Sequence, residues 1–289
     1  MVGGKPSLSR VAVASRAAER PDGKSAPLRP VMTVANVRRG FVRGENPDGL
    51  PMTQATTEPM TEQTTEQKRP LQPGDAAPEF SLPSANREGH VSLNDLRGKP
   101  FLIGFFRGLH CPFCRRQVVQ LASVQPALQA AGVETIAVVN TPVDRARMYF
   151  RHRPNPATLL SDPDCVTHRA FGVRHIEFQP EGSSGRPEWP HQADMAEFLA
   201  ARINPTGELA EPLQPMETNP VLNVKEGFEM EPADHAILEK HAAQLVGHFL
   251  IDAQGKVAWS QIEAADGPNS IGIFPTAAEL IAAANGLRR

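Results

Sequence analysis

A Cys-x-x-Cys pair between a buried strand and a helix is the feature that most restricts how this chain can fold. Phe101–Phe106 is a continuous apolar run of strand length, typical of a central strand covered on both faces. Beyond the cysteines, Val118, Leu121 and Leu128 recur at helical offsets, and the β-branched run Glu134–Asn140 follows. Strand, helix and strand make a βαβ unit with a right-handed crossover. The sequence therefore predicts an α/β fold.

The remaining segments predict a central sheet flanked by helices. Gly, Pro and Asp clusters separate the elements, and Gly255 suits the tight turn of a hairpin. The predicted elements are short strands at 80–82 and 91–93, a helix at 143–152, a strand at 157–160, a short helix at 165–171, a hairpin of 248–252 with 257–260, and a final helix at 276–285.

The N-terminal quarter of the chain differs in composition from the rest. Residues 1–45 carry nine Lys or Arg against three Asp or Glu and show no sustained apolar period. Residues 46–70 are rich in Thr, Gln, Glu and Pro, and such tracts bury too little apolar surface to offset the entropy of ordering them. We predict a disordered tail over 1–70 and a folded domain over 71–289. A transit peptide, or a true start at Met52 or Met60, are the alternatives.

Residues 177–245, here called the insertion, interrupt the α/β rhythm. The segment opens with a loop rich in Gly, Ser and Pro. It predicts helices at 194–203 and 233–243, separated by a Pro-rich turn section. We expect the insertion to pack at one edge of the sheet.

The position of the two cysteines predicts thiol chemistry. At a strand-to-helix turn, Cys111 lies beside unpaired backbone N–H groups and the positive end of the helix dipole, and both favour the thiolate. Arg107 is close enough in sequence to stabilise a thiolate or an oxyanion further. Cys114 lies one turn deeper, within reach of Cys111 for a disulfide. Cys111 is thus the predicted nucleophile and Cys114 the resolving thiol.

Two other interpretations of the pair stay open. The cysteines could be inert buried helix residues, or half of a structural zinc site, which normally needs four ligands. Only one close-spaced pair is present, so a zinc site would have to be completed in space by a histidine. The candidates are His110, His152, His168 and His175.

Three further groups near these motifs have both structural and functional interpretations. Cys165 fits a partly buried small apolar residue, or else a second resolving or regulatory thiol. His110 has the pKa range of an acid or base, but a residue just before a helix usually points outward. Arg115 and Arg116 fit a solvated helix face.

Composition limits the partners and the compartment. The formal net charge of −2 argues against general nucleic-acid or membrane-surface binding. No apolar run approaches the roughly 18 residues of a spanning helix. Three cysteines cannot form a disulfide scaffold, and no secretory signal is visible at the N-terminus. We therefore expect a cytoplasmic protein without nucleic-acid or membrane partners.

Four motifs together resemble the redoxin and alkyl hydroperoxide reductase branch of the thioredoxin-like superfamily. They are PGDAAPEFSLPS from 73, FLIGFFRGLHCPFC from 101, TLLSDPDCVTHRAFGV from 158 and HFLIDAQGKV from 248. The second is similar to a peroxiredoxin-like subgroup with a Tyr/Phe-Arg-Gly-x-x-Cys-Pro-x-Cys turn. The resemblance covers 71–175 and 247–287. It implies a thioredoxin-like, peroxiredoxin-type sheet with Cys111 at the peroxidatic position and Cys114 as the subgroup's second cysteine.

The chain also departs from its relatives at positions that matter for chemistry. Peroxiredoxins place a Thr or Ser and a Pro where this chain has Gly108 and Gly104, and their later arginine aligns with Val246. Arg107 and backbone N–H groups would have to replace these groups. Thioredoxins and glutaredoxins carry a cis-Pro before the later strand, and the sequence at 245–248 has none.

These observations lead to a thiol-dependent peroxidase as the first hypothesis. Cys111 would reduce a hydroperoxide, Cys114 would close a disulfide, and thioredoxin or glutathione would restore the pair, with no bound organic cofactor or metal. The second hypothesis is a thioredoxin- or glutaredoxin-type disulfide reductase. The third is a non-catalytic binding protein of the same fold that uses the insertion as its interaction surface.

Overall fold

The computed structural model describes residues 69–180, 183–184 and 192–287. Its strands are β1 (Ser81–Pro83), β2 (His90–Ser92), β3 (Phe101–Phe106), β4 (Glu134–Val139), β5 (Thr158–Ser161), β6 (Glu177–Phe178), β7 (Gln192–Ala193), β8 (Gly247–Ile251) and β9 (Val257–Ile262). Its helices are α1 (Pro112–Ala130), α2 (Val143–Phe150), α3 (Val166–Ala170), α4 (Met195–Ala200), α5 (Pro215–Glu226), α6 (Pro232–His241) and α7 (Ala277–Gly286).

A five-stranded mixed sheet in the order β5-β4-β3-β8-β9 forms the centre of the fold. β3 pairs in parallel with β4, and β4 with β5, whereas β8 is antiparallel to both β3 and β9. The helices flank this sheet, and α1 makes the crossover between β3 and β4 while packing beside α7. The predicted α/β, thioredoxin-like architecture is confirmed.

β3 is the central strand because every one of its side chains can be buried. All six residues are buried, between β4 on one side and β8 on the other. A Cβ on Gly104 would lie 2.7 Å from the Phe106 ring, so the strand needs glycine at this point. Because both faces of β3 are buried, the strand is held firmly in place, and it anchors the start of the turn that follows its carboxyl end.

The sequence led us to expect the insertion at one edge of the sheet. The described helices of the insertion instead lie over one end of the sheet. These helices contact the loops that follow the carboxyl ends of the parallel strands. Asn223 of α5 bonds to the turn after β3, Asp234 of α6 binds Arg145 of α2, and Lys240 pairs with Asp164 after β5. The carboxyl ends of parallel strands present a crevice, and these polar contacts hold the insertion over it.

α5 was not expected from the sequence, which predicted a Pro-rich turn there. Pro215 occupies the first helical position, where its missing N–H costs nothing, but Pro220 lies inside the helix. Burial of Leu222 and Asn223 against the rest of the fold compensates. Tertiary packing therefore overrides the local signal of the prolines.

Two predictions concern regions that the structure leaves partly undescribed. The predicted tail, 1–70, lies outside the described residues apart from Arg69 and Pro70. The boundary at 71 and the disorder of the tail stay predictions. Among the described residues, no helix is both long and apolar enough to cross a membrane.

Candidate active site

The turn between β3 and α1 places the sulfur of Cys111 at the head of a long helix. Cys111 is the N-cap residue of α1, and its Sγ accepts the backbone N–H of Cys114 at 3.4 Å. Pro112 follows at the first helical position, which its fixed φ suits. The sulfur thus faces donors that the helix would otherwise leave unsatisfied, and these donors favour negative charge. Both thiols are free, and their roles as nucleophile and resolving thiol stay predictions.

Arg107 supplies the second set of contacts to this sulfur. Its Nε donates to Cys111 Sγ at 3.4 Å. Its two terminal nitrogens bind both carboxylate oxygens of Glu263, each at 2.7 Å, and Nη1 also donates to the Gln244 carbonyl at 2.9 Å. A bidentate pair of this kind fixes the plane of a guanidinium. The remaining donor edge is therefore held against the thiol.

Glu263 is itself fixed from two sides. The backbone N–H of Val246 donates to one carboxylate oxygen at 3.0 Å, and that of Gly272 donates to the other at 2.7 Å. Glu263 is fully buried. A buried carboxylate needs such partners because an unpaired charge in the interior is costly. The network that orients Arg107 thus joins the end of β3 to residues near β8 and β9.

The two thiols have opposite acidities. Burial alone would raise the pKa of Cys111, but hydrogen bonding from Cys114 and the charge and hydrogen bond of Arg107 lower it to about 6. Burial raises the pKa of Cys114 well above its usual value, and the neighbouring Cys111 sulfur raises it further. At neutral pH the arrangement is therefore one thiolate beside one thiol, as a nucleophile and a proton-carrying partner require.

Helices α5 and α6 of the insertion, here called the cover, are bonded to the loops around this pair. Neither Cys111 nor Cys114 has appreciable exposed surface. Asn223 Nδ2 donates to the His110 carbonyl at 2.9 Å, and Asn223 Oδ1 accepts from Arg115 at 2.8 Å. These two bonds attach α5 to residues on either side of Cys111. The Cys111 sulfur is thus closed off from solvent in this structure.

Comparison with known proteins agrees with this geometry. A sequence profile described as the AhpC/TSA family matches residues 73–196. Peroxiredoxin Bcp of Escherichia coli K12 is 33% identical over 104 residues, which are 36% of this chain and 66% of that protein. A putative peroxiredoxin bcp of Coxiella burnetii is also 33% identical over 104 residues, or 68% of its length. The chain belongs to the AhpC/TSA family.

Solved structures with a similar fold accompany this family assignment. Peroxidoxin BcpB from Mycobacterium tuberculosis aligns with 75% of this chain and 97% of its own at 15% identity and a TM-score of 0.44. A reduced 2-Cys peroxiredoxin from Plasmodium vivax aligns with 76% of this chain and 83% of its own at 15% identity and a TM-score of 0.46.

The sequence match to the E. coli relative spans 66% of that protein, just short of two thirds of its length.

This AhpC/TSA-family chain has no room for a hydroxyl residue at position 108. A Cβ on Gly108 would lie 2.9 Å from both Asn140 Oδ1 and His110 Nδ1, and 3.1 Å from Ile237. Asn140 and His110 therefore fill the space that a Thr or Ser side chain would need. The departures noted in the sequence are thus built into the packing around the turn.

His110 differs from its sequence-based expectation, because it points inward. It is buried, and no described residue hydrogen-bonds to either of its ring nitrogens. Burial and the charge of Arg107 lower the pKa of His110 to about 4, so the imidazole is neutral at pH 7. It is a free polar group directly before the nucleophile.

The two arginines of α1 also differ from expectation, since both bind acidic residues of the insertion and only Arg116 stays partly exposed. Arg115 is buried, stacks on the Phe228 ring with 3.9 Å to the centroid, and pairs with Glu226. Arg116 binds Glu226 and Glu208 of the insertion. Both side chains hold the cover in place.

Sequence reasoning missed Glu263, Gln244 and Asn223 as parts of the site. One signal was available: Glu263 is an acidic residue directly after the apolar end of β9, where a buried charge needs a partner. Cys165, in contrast, is more deeply buried than expected, at the N-terminus of α3. Both ring nitrogens of His168 are hydrogen-bonded, one to Asp162 and one to the Phe106 carbonyl. His168 therefore does not complete a zinc site with the Cys pair.

Proposed function

We propose that the protein is a thiol-dependent peroxidase whose nucleophile is Cys111. The observation that carries this proposal is the set of contacts on one sulfur, the Arg107 Nε donor and the Cys114 N–H, together with the low pKa that they produce. Membership of the AhpC/TSA family supports a hydroperoxide as the substrate. Arg107 would act in the role that the family gives to a later arginine, here replaced by Val246.

The proposed first step is attack of the Cys111 thiolate on the terminal oxygen of a hydroperoxide. A sulfur–oxygen bond forms, the oxygen–oxygen bond breaks, and the leaving alkoxide takes one proton to become an alcohol or water. Cys111 is left as a sulfenic acid. Arg107 would stabilise the negative charge that passes from sulfur to the leaving oxygen.

In the proposed second step Cys114 displaces the hydroxyl of the sulfenic acid. The sulfur–sulfur bond forms, the sulfur–oxygen bond breaks, and the hydroxyl leaves as water with the Cys114 proton. The raised pKa of Cys114 keeps that proton in place until this moment. A dithiol reductant such as thioredoxin, or two molecules of glutathione, would then reduce the disulfide by exchange and restore both thiols.

A small pocket lies next to Arg107, although neither cysteine lines it. A pocket of about 40 Å³ lies beside Arg107 and Phe113, under residues 242–245 of the insertion. That volume holds a molecule of the size of water or hydrogen peroxide. Because Cys111 has no exposed surface, a hydroperoxide of any size would reach its sulfur only after part of the surrounding structure moves.

Consumption of hydrogen peroxide by the purified protein, with dithiothreitol as the reductant, tests the proposal. We expect turnover by the wild type and by C165S, and none by C111S. In C114S treated with peroxide without a reductant, we expect a single oxidation of Cys111, detected as one added oxygen by mass spectrometry. Wild-type protein that consumes no peroxide above the C111S background would refute a peroxidase function.

A disulfide reductase is the second candidate, because Gly108 leaves the turn without the hydroxyl that peroxiredoxins use there. Reduction of insulin disulfides separates the two functions. If insulin is reduced in a Cys111-dependent manner while peroxide is not consumed, the reductase is correct. If the protein neither consumes peroxide nor reduces insulin, the hypothesis of a non-catalytic binding protein is favoured.

A further inference from the structure

A second cluster of chemically reactive side chains lies away from the Cys111 pair. The Sγ of Cys165 and one ring nitrogen each of His175 and His241 all lie within 4.8 Å of one another. Cys165 and His241 are buried and His175 is half-buried. The three residues come from different parts of the fold: the N-terminus of α3, the segment after it, and the end of α6 in the insertion.

We propose that Cys165, His175 and His241 form a binding site for one divalent transition-metal ion, with zinc as the first choice. A thiolate with two imidazoles is a ligand set that zinc prefers. Ligand atoms around tetrahedral zinc are roughly 3.3–3.6 Å apart, from its usual bond lengths. The observed cluster needs only small side-chain shifts to reach that spacing.

The hydrogen bonds of the two histidines decide which nitrogens face the site. His241 Nε2 lies 2.9 Å from the Pro163 carbonyl, which only accepts, so Nε2 carries the proton. The Nδ1 of neutral His241 is then a lone-pair donor. It lies 2.8 Å from His175 Nε2, and the two rings are parallel within 6°. Without a metal one proton joins these nitrogens, and an ion would displace it while binding both.

The surroundings of the ligands resemble those of metal sites. The bond from His241 Nε2 to Pro163 orients the ring through its other nitrogen, as ligating histidines usually require. Asn140 Nδ2 donates to Cys165 Sγ at 3.7 Å, a contact that suits a metal-bound thiolate. Cys165 is also free from helix capping, because the Asp162 carboxylate takes the N–H groups of Val166 and His168.

The site would join the insertion to the core. Cys165 and His175 flank α3 of the core, whereas His241 ends α6 of the insertion. A bound ion would therefore add a tie at the end of α6 to the polar contacts that already hold the insertion, such as Asn223 with His110. Three protein ligands leave the fourth position to water or to a further donor.

Cobalt binding to the full chain tests the site, because a cobalt–thiolate bond gives a near-ultraviolet charge-transfer band. The chelator-treated double variant C111S/C114S removes the other two thiols. We expect it to bind one equivalent of Co²⁺ with this band, and Zn²⁺ to displace the cobalt. The same background carrying C165S should lose the band, and H241Q should weaken binding at least tenfold. H235Q, which changes an exposed histidine of the same helix, should bind like the parent.

A second measurement guards against variants that do not fold. In C111S/C114S, Cys165 is the single thiol, so Zn²⁺ alone should slow its alkylation and raise the thermal unfolding midpoint. No saturable cobalt binding, a band that survives C165S, or alkylation unaffected by Zn²⁺ would each overturn the site. None of these outcomes bears on peroxide consumption, because the double variant lacks both thiols of the proposed peroxidase.

Discussion

Cys111 and Cys165 occupy equivalent places in two helices and differ in chemistry. Each is the N-cap residue of a helix, and neither has exposed surface. The pKa of Cys111 is lowered to about 6, whereas burial raises the pKa of Cys165 to about 12. Burial and a helix N-terminus are therefore not sufficient to make a thiolate.

Two contacts account for the difference. Cys111 has an extended backbone, with φ of −89°, and its sulfur accepts a helix N–H, whereas Cys165 has φ of +53° and makes no capping bond. Arg107 donates to Cys111 Sγ, and the only donor to Cys165 Sγ among the described residues is the weak amide of Asn140. A neighbouring cation and a capping geometry are what separate a reactive thiol from a neutral one.

The largest expected effect is a difference in alkylation between these two thiols. At pH 7 we expect iodoacetamide to modify Cys111 at least about a hundredfold faster than Cys165, since thiolate fraction outweighs the greater intrinsic nucleophilicity of a high-pKa thiol. Peptide mass spectrometry over time measures both rates in metal-free protein. Urea-unfolded protein is the control, where the rates should be similar. Equal rates in the folded protein would show that the comparison is wrong.

Removal of Arg107 should make Cys111 more like Cys165. In R107M we expect the pKa of Cys111 to rise by about 2 units, measured by pH-dependent alkylation. The change also leaves Glu263 buried without its partner, at a cost of about 3–5 kcal/mol. The double variant R107M/E263Q separates the two effects, because stability should largely return while the pKa stays high. If the pKa of Cys111 stays near 6 in both variants, the N-terminus of α1 and not Arg107 is the cause of the lowered pKa.

The pH dependence of stability should differ between the two thiols. A lowered folded-state pKa contributes stability above the unfolded value, near 9, and this contribution is lost as pH falls through about 6. Between pH 6 and 9 the wild type should gain up to about 1.4 kcal/mol per pH unit over C111S in denaturant unfolding. The pKa of Cys165 is raised, so its contribution to the free energy of unfolding is constant below pH 9. The difference in unfolding free energy between the metal-free wild type and C165S should therefore not change with pH in this range. If the stability difference between the wild type and C111S did not change between pH 6 and 9, the lowered pKa of Cys111 would be contradicted.

The smallest expected effect concerns the cover over Cys111. N223A removes the bond to the His110 carbonyl and one bond to Arg115, so we expect alkylation of Cys111 to accelerate about three- to tenfold, equivalent to roughly 1 kcal/mol. V224A on the same helix is the matched control, because Val224 is 84% exposed and should not affect the rate. Equal rates in N223A and the wild type would mean that α5 does not limit access.

The parts of the fold and site that were predictable are local in sequence. Phe101–Phe106, the Cys111 cap and the hairpin after Gly247 each follow from short patterns, and the structure confirms them as β3, the start of α1, and β8 with β9. Residues 107–114 contain Cys111 and Arg107 together, so one turn brings the thiol and the guanidinium into contact.

The parts that could not be predicted depend on distant partners. Glu263 meets Arg107 across 156 positions and Asn223 meets His110 across 113, and no local pattern encodes such pairs. Arg115 and Arg116 look like surface charges until the insertion provides Glu226. The helix α5 itself is obscured by its prolines, because its stability comes from packing rather than from propensity.

The bond from Asn223 reaches a carbonyl whose peptide plane also contains the amide nitrogen of Cys111. That plane is rigid, so it can rotate only as a whole. Any rotation of this peptide plane therefore changes the Asn223 bond and the position of the Cys111 backbone nitrogen together. The hydrogen bond that attaches α5 and the backbone of Cys111 are thus coupled through a single rigid unit.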